Sequence, residues 1–345
     1  MLGRPRTGLQ LSATRQGQAM QVNFHHTCRG LLLAALGTVL SAGSGAAHAQ
    51  PTVIRMVVPF PAGGITDQAA RIVAEQMAQR LGQTVIVDNR PGAGSRLGID
   101  AVVSAPADGH ALLFTNTSYS ILAVINPKTG LDPLKSLAPV SLSASYGLQI
   151  VTSTAVPATT LSEFIAYAKK NPGKLSYGSS GIGSGTHFVG EFFKSLTGTY
   201  LVHIPYKSTS GALNDVAGGQ LDLAFDGSTK PLVDAGKVKL LAVTGDKRDP
   251  RFPNTPTAAE AGLKPFAKMQ SWVGLLAPVA TPQPVLDKLN KAATAAVADA
   301  AVQKRFAELG LQPQGGPASR LADTIAADVA LHRQIATGAK LRFED

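Results

Sequence analysis

From residue 53 to residue 243 the chain alternates short apolar runs with stretches whose apolar positions recur every three or four residues. That alternation predicts α/β architecture with mostly parallel strands. The first run, Val53, Ile54, Met56, Val57 and Val58, is β-branched and is closed by Pro59 and Pro61, so it reads as a buried strand. Ala70, Val73, Met77 and Leu81 then share one helical face, which predicts a helix opening near Thr66 or Asp67 and stopping at Gly82. Val85–Val87 and Ala111–Phe114 read as further strands, with another helix starting near Ser95.

The pattern repeats from about residue 153. Thr160 and Glu163 stand at capping-box spacing ahead of a helix that ends at Lys169, Lys170 and the stop Asn171-Pro172-Gly173. Strands are predicted at Leu175–Tyr177, Leu201–Ile204, Leu221–Phe225 and Val238–Val243. The last stretch is helical: Thr281 with Pro282 opens one helix, and a second runs from Ala318 to Gly338.

Two loops in this pattern carry chemistry. Gly63 and Gly64 free the backbone between the first strand and its helix, whose first N–H groups have no partner inside the helix and carry partial positive charge. Such a turn is suited to holding an anion. Residues 175–196, LSYGSSGIGSGTHFVGEFFKSL, repeat the logic: a strand, a loop of small residues from Ser179 to Gly185, and a helix. Phe188, Val189, Phe192, Phe193 and Leu196 mark the buried face of that helix and Gly198 its end. One such loop is an ordinary βα connection. Two of them, facing each other beyond the carboxyl ends of strands, would clasp one small anion.

Composition fixes the setting. Arg4, Arg6, Arg15 and Arg29 precede the apolar run Leu31–Leu40 with no acid before Gln50, and Ala47-His48-Ala49 supplies a small-x-small site. The run is far shorter than the roughly 20 residues of a membrane span, so residues 1–49 read as a secretory signal cleaved after Ala49. Met20 is an alternative start. Cys28, the one cysteine, lies ahead of the apolar run, so the mature chain carries no thiol and can form no disulfide. An exported protein of this kind fits the bacterial periplasm. Without the leader's four arginines, 28 basic residues face 22 acidic ones, so the net charge falls from +10 to about +6. The basic residues are scattered, which argues against a nucleic-acid partner.

The motifs VVPFPAGGITDQAAR, NRPGAGSRLG, SYGSSGIGSGTHF, HIPYKS, GGQLDLAFD, PTAAEAG, WVGLLAP and ATGAKLRFE run from about Ile54 to the C-terminus. Together they resemble the Bug-type solute receptors, the periplasmic binding proteins of tripartite tricarboxylate transporters. The resemblance implies a two-domain flytrap fold: a signal peptide at 1–49, one domain from 51–150 plus 272–345, and a second from 151–271. The chain would cross between domains near Leu148–Thr152 and near Ser271–Leu276, and two crossings make a hinge. The expected ligand is a small carboxylate: a di- or tricarboxylate, an acidic amino acid or an aromatic acid. The expected partners are membrane permease subunits or a membrane sensor, the receptor itself being a monomer with no cofactor and no metal.

Carried over by position, the resemblance implies ligand contacts from Phe60, Ala62, Gly63, Gly64 and Asp67 in the first loop and Ser179, Ser180, Gly181, Gly183 and Ser184 in the second. Asp67 is either a helix cap or a ligand contact. Asp226, ending the strand in LDLAFD, could accept from a ligand amine or hydroxyl or could brace its loop. Thr115 and Ser118 are candidates for the pocket wall, His187 for orienting or packing, and Trp272 for the core. Ser95, where the family usually has glycine, the pair Ser208 and Gly211, and the stretch from Ile125 to Pro139 depart from the family pattern.

Enzymatic readings fail on spacing. Gly92, Gly94 and Gly98 place the third glycine one position too late for a dinucleotide fingerprint. Ser180 has Gly178 two before it but Ile182 two after, so no nucleophile elbow forms. The mature histidines His110, His187, His203 and His332 are dispersed, with no pair at ligand spacing.

Overall fold

The structure, a computed structural model, describes residues 53–125, 130–341 and 343. The signal segment with Cys28 and the cleavage site lie outside these residues, as does part of the divergent stretch from Ile125 to Pro139.

The chain opens with β1 (Ile54–Val58), α1 (Ile65–Leu81), β2 (Val85–Asn89), α2 (Arg96–Val103), β3 (Ala111–Asn116), α3 (Ser118–Ile125) and the long β4 (Leu137–Gly147). It continues with β5 (Gln149–Ser153), α4 (Leu161–Lys170), β6 (Ser176–Ser179), α5 (Gly185–Thr197), β7 (Val202–Pro205), α6 (Thr209–Ala217), β8 (Leu223–Asp226), α7 (Lys230–Asp234) and β9 (Val238–Val243). After β10 (Gln270–Pro278) come α8 (Gln283–Val297), α9 (Ala300–Leu309), β11 (Gln312–Pro313) and α10 (Ala318–Gly338).

These strands form two mixed sheets within one compact unit, a six-stranded sheet ordered β11-β4-β10-β3-β1-β2 and a five-stranded sheet ordered β7-β6-β8-β5-β9. The parallel part of each is the one the alternating pattern predicts: β2, β1 and β3 in the first, β7, β6 and β8 in the second. Antiparallel ladders come from β4, β10 and β11 in one sheet and from β5 in the other. The architecture is therefore two-domain α/β, with more antiparallel pairing than alternation alone implies.

Strand alternation sorts the core of the first sheet. Ile54, Met56 and Val58 pack with α1, α8 and α9, while Val57, Leu113, Trp272 and Leu276 point the other way and pack with Ile99, Leu321 and Ile325 of α2 and α10. Trp272 is core, as expected, and its indole N–H also donates to Asp328 at 2.6 Å. In the second sheet Phe192 of α5 stacks on Phe266 and Phe193 meets the same ring edge-on, and α6 covers the other face through Ala212, Leu213 and Val216. Leu196, read as part of α5's buried face, is exposed, and Thr197 takes the inner position.

Local signals hold where they are strong. Gly82 and Gly198 close α1 and α5 in the left-handed conformation. The Thr160–Glu163 capping box is complete at the start of α4. The passage between sheets is sharper than periodicity suggests: Gly147 ends β4, Gln149 begins β5, and only Leu148 lies between. The return runs from the end of β9 to Gln270. Residues 149–152 and 271–276, expected as crossing segments, are thus strands inside the sheets, because backbone groups leaving one sheet are paired at once by the next. At the passage the two segments hold each other: Leu148 N–H donates to Thr244 Oγ1 at 2.9 Å and Thr244 N–H to the Leu148 carbonyl at 2.7 Å.

Candidate functional site

A cavity enclosing about 80 Å³ of space open to water lies where the carboxyl ends of parallel strands from both sheets meet. From the first sheet come Phe60, Gly64, Ile65 and Thr66 after β1, and Asn116, Thr117 and Ser118 after β3. The second supplies Ser180, Gly185 and Thr186 after β6, Ser208 to Ser210 after β7, and Asp226 at the end of β8. Tyr146, Gln270 and Ser271 of the crossing strands close the back with Leu148, the residue between β4 and β5, and His332 of α10 completes the wall.

Four helix N-termini, those of α1, α3, α5 and α6, therefore open onto one space. Gly64 precedes α1 without a side chain to cap it, so the N–H groups of Ile65 and Thr66 have no acceptor within the helix. In α5, Ser184 Oγ accepts from His187 N–H at 3.2 Å, leaving Thr186 N–H without an intrahelical acceptor. In α6, Ser208 Oγ accepts from Gly211 N–H at 3.2 Å, leaving those of Thr209 and Ser210. Two N-termini meet directly where Gly185 N–H donates to Ser118 Oγ at 3.2 Å, joining a helix of the first sheet to one of the second. No lysine or arginine lines the cavity among the described residues.

The candidates from sequence divide. Phe60, Gly64, Ser118, Ser180 and Asp226 line the cavity. Ala62, Gly63, Asp67, Thr115, Ser179, Gly181, Gly183 and Ser184 stand outside that lining. Asp67 is buried and engaged by the protein: it accepts from Gly63 N–H at 2.9 Å, from Asn89 at 2.8 Å and from Arg71 at 3.0 Å. Burial alone would raise its pKa, but these donors outweigh it and hold the carboxyl below the usual range. It thus ties the first loop to α1, the task expected of a cap, although Gly64 occupies the N-cap position.

The second loop is also braced from within. Ser180 N–H donates to Thr186 Oγ1 at 2.9 Å, Gly181 N–H to Ser179 Oγ at 3.1 Å, and Gly183 N–H to His187 Nδ1 at 3.2 Å. His187, an orienting residue as the sequence reading allowed, stacks on His203 with ring centroids 4.1 Å apart, and His203 Nε2 meets Ser179 Oγ at 2.7 Å. Burial lowers both imidazole pKa values, His203 to about 4. Thr115 lies in the β3–β10 ladder with its hydroxyl buried and unpartnered, and the neighbouring Asn116 reaches the cavity in its place.

The sequence reading missed Asn116, Thr117, Thr186, Ser208 to Ser210, Tyr146, Gln270, Ser271 and His332. One signal was available: Ser208, three residues ahead of Gly211 and followed by apolar Ala212, Leu213 and Val216, is an N-cap pattern. The two positions expected to depart from the family pattern thus meet at the start of α6, Ser208 capping the helix through the Gly211 N–H. Ser95 also gains a structural sense: it sits at φ +83°, the left-handed region that suits glycine, in a loop whose Gly94 lies against the Ile182 carbonyl of the second anion loop.

Asp226 is braced and exposed to the cavity at once. Its Oδ1 accepts from Ser228 N–H at 2.7 Å and from the Ser228 hydroxyl. Tyr146, whose hydroxyl bonds with Ser271 and Thr66, has its pKa raised by burial and by the nearby Asp226 charge. His332 lies nine-tenths or more buried, with Nδ1 2.7 Å from the Asp328 carbonyl oxygen, and burial lowers its pKa to about 4.

Two α/β lobes with a polar cleft between the carboxyl ends of their strands are the form of a solute-binding protein of the periplasmic class. The chain belongs to the tripartite tricarboxylate transporter family of receptors, whose sequence model matches residues 69–340. Among solved structures, that of periplasmic binding protein BugD is 36% identical, with a TM-score of 0.80, covering 84% of this chain and 98% of the other. R. palustris Rpa4515 with adipate is 32% identical, with a TM-score of 0.79, covering 85% and 99% of the two chains. MatC (Rpa3494) from Rhodopseudomonas palustris with bound malate is 31% identical, with a TM-score of 0.78, covering 83% and 99%. The chain is accordingly a periplasmic solute-binding receptor of the Bug type.

Proposed function

We propose that this receptor captures one small carboxylate between its lobes and hands it to the membrane permease of a tripartite tricarboxylate-type transporter. The observation that carries the reading is the convergence of four helix N-termini on a cavity without a lysine or arginine among the described lining residues. An anion there is met by peptide N–H groups and hydroxyls. Hydrogen bonds to a charged group contribute about 1.5–3 kcal/mol each. Five such bonds, from the amides of Ile65, Thr66, Thr186, Thr209 and Ser210, come to roughly 7.5–15 kcal/mol, a range that includes the ~8 kcal/mol of micromolar binding, and adjacent hydroxyls add to it against the costs of association and closure. Relatives holding adipate and malate support a carboxylate of about this size.

In this reading the lobes are residues 51–150 with 272–345, and residues 151–271, hinged where Leu148 and Thr244 bond each other. The protein is exported by cleavage after Ala49 and works as a monomer.

A thermal-shift screen of the purified protein with citrate, succinate, malate, glutamate, aspartate, nicotinate and terephthalate tests the proposal. A ligand at a hundredfold excess over its Kd adds about 2.7 kcal/mol, a rise of about 5 °C for a chain of this size. No response to any carboxylate, or turnover of one, would refute it.

A further inference from the structure

Among the described residues, Asp226 is a carboxylate without an ion-pair partner. It is 5% exposed, faces the cavity, and among the described residues its side chain bonds only to the neutral Ser228. The cations of its neighbourhood are committed elsewhere: Arg251, which reaches the Gly227 carbonyl, pairs with Asp249 at 2.7 Å, and Lys230 pairs with Asp234 at 2.8 Å. A carboxylate withdrawn from water without a paired charge is unfavourable, and the open side of this one is the ligand space.

His332 adds a second acceptor on the same wall. A carbonyl oxygen cannot donate, so the 2.7 Å contact with Asp328 requires the proton on Nδ1, and the neutral ring keeps a lone pair on Nε2. Helix N-termini that want negative charge and a buried carboxylate that wants positive charge thus share one small cavity. A plain dicarboxylate satisfies the first and is repelled by the second. A zwitterion satisfies both.

We propose that Asp226 makes the receptor select an amino acid, its ammonium group on the Asp226 carboxylate and its carboxylate on the helix N-termini, over the hydroxy or unsubstituted acid of the same carbon skeleton. The inference rests on the carboxylate-receptor reading above and narrows it.

Two matched series test it by isothermal titration: aspartate, malate and succinate, then glutamate, 2-hydroxyglutarate and glutarate. Within each, one substituent changes from ammonium to hydroxyl to hydrogen. In at least one series the amino acid should bind at least about tenfold tighter than the unsubstituted acid, the scale of one charge-assisted hydrogen bond. Asp226→Asn keeps an oxygen to accept from Ser228, and it should shrink that gap to less than about threefold, with circular dichroism and the melting midpoint reporting on the fold. If the unsubstituted acids bind as tightly as the amino acids, or the gap survives Asp226→Asn, the selectivity is overturned while the receptor reading stands. If no acid of either series and no acid of the wider screen binds, the receptor reading falls and this inference with it. The order within each series is read on the unaltered protein, so it decides even if the variant misfolds.

Discussion

Gly63 and Gly64 are neighbours in the first loop under opposite constraints, which makes them a paired test of the anion site. Gly64 has φ −73° and ψ 166°, a conformation open to any residue, and a Cβ there meets nothing within 4 Å. Alanine at this position leaves the fold intact and restricts the unfolded chain, a gain of about 0.4–1 kcal/mol. It also sets a methyl group on the cavity wall, ahead of the uncapped N–H groups of Ile65 and Thr66. Loss of one charge-assisted hydrogen bond costs about 1.5–3 kcal/mol, so Gly64→Ala should weaken carboxylate binding by roughly 10- to 150-fold. Its melting midpoint should hold or rise by up to about 2 °C.

Gly63 has the reverse profile. Its φ of +90° excludes a side chain without strain, although the space itself is empty, and its N–H is held by Asp67 and turned from the ligand. Gly63→Ala should therefore lower stability by about 1–3 kcal/mol, a fall of roughly 2–6 °C. A bulky β-branched residue there, such as valine, would act through the same backbone strain and would not leave the loop intact. Differential scanning calorimetry and isothermal titration with the ligand giving the largest thermal shift separate the two effects. Unchanged affinity in Gly64→Ala would refute the claim that these amides are the contact surface. A Gly63→Ala variant as stable as the parent would refute the account of the loop.

Two further predictions concern the frame. At the passage between sheets, a Cβ on Gly147 would overlap the Thr244 carbonyl oxygen, so Gly147→Ala should cost about 1–3 kcal/mol. The thermal midpoint should fall by about 2–6 °C, and a midpoint equal to the parent's would show that the crossing segments are not in contact. Asp328, beneath the cavity wall, has its pKa pushed up to about 7 by burial, partly offset by the Trp272 N–H. Between about pH 4 and 7 the unfolded chain has lost this proton while the folded one keeps it, so the group opposes folding increasingly as pH rises. Asp328→Asn, which still accepts from Trp272, should gain in midpoint relative to the parent from pH 4 to pH 7.5. A pH-independent difference would refute the burial argument.

The strongest local signals were legible because their physics is local. A β-branched run, a glycine stop, the Thr160–Glu163 box and the apolar face of α5 depend on residues within a few positions of one another. Elements whose burial is set by distant chain were hidden. In β4, which lies between β11 and β10, Ser141 and Ser143 are fully buried, so the polar positions that would mark a solvent face mark none. α3 follows β3 without a turn signal beyond Thr117, and the linker between β4 and β5 is a single residue.

The site divides along the same line. Sequence alone determined that two loops present helix N-termini, since that follows from a strand, small residues and a helix in succession, and the family motifs determined the fold. Only the tertiary structure decided which groups face the ligand space. Gly63, Gly181 and Gly183 spend their amides on Asp67, Ser179 and His187, while Ser208 to Ser210 and His332, far away along the chain, form part of the wall. The reason is that an amide can serve a ligand only if no closer acceptor claims it, and which acceptors are close is settled by packing between elements that the sequence keeps up to hundreds of residues apart.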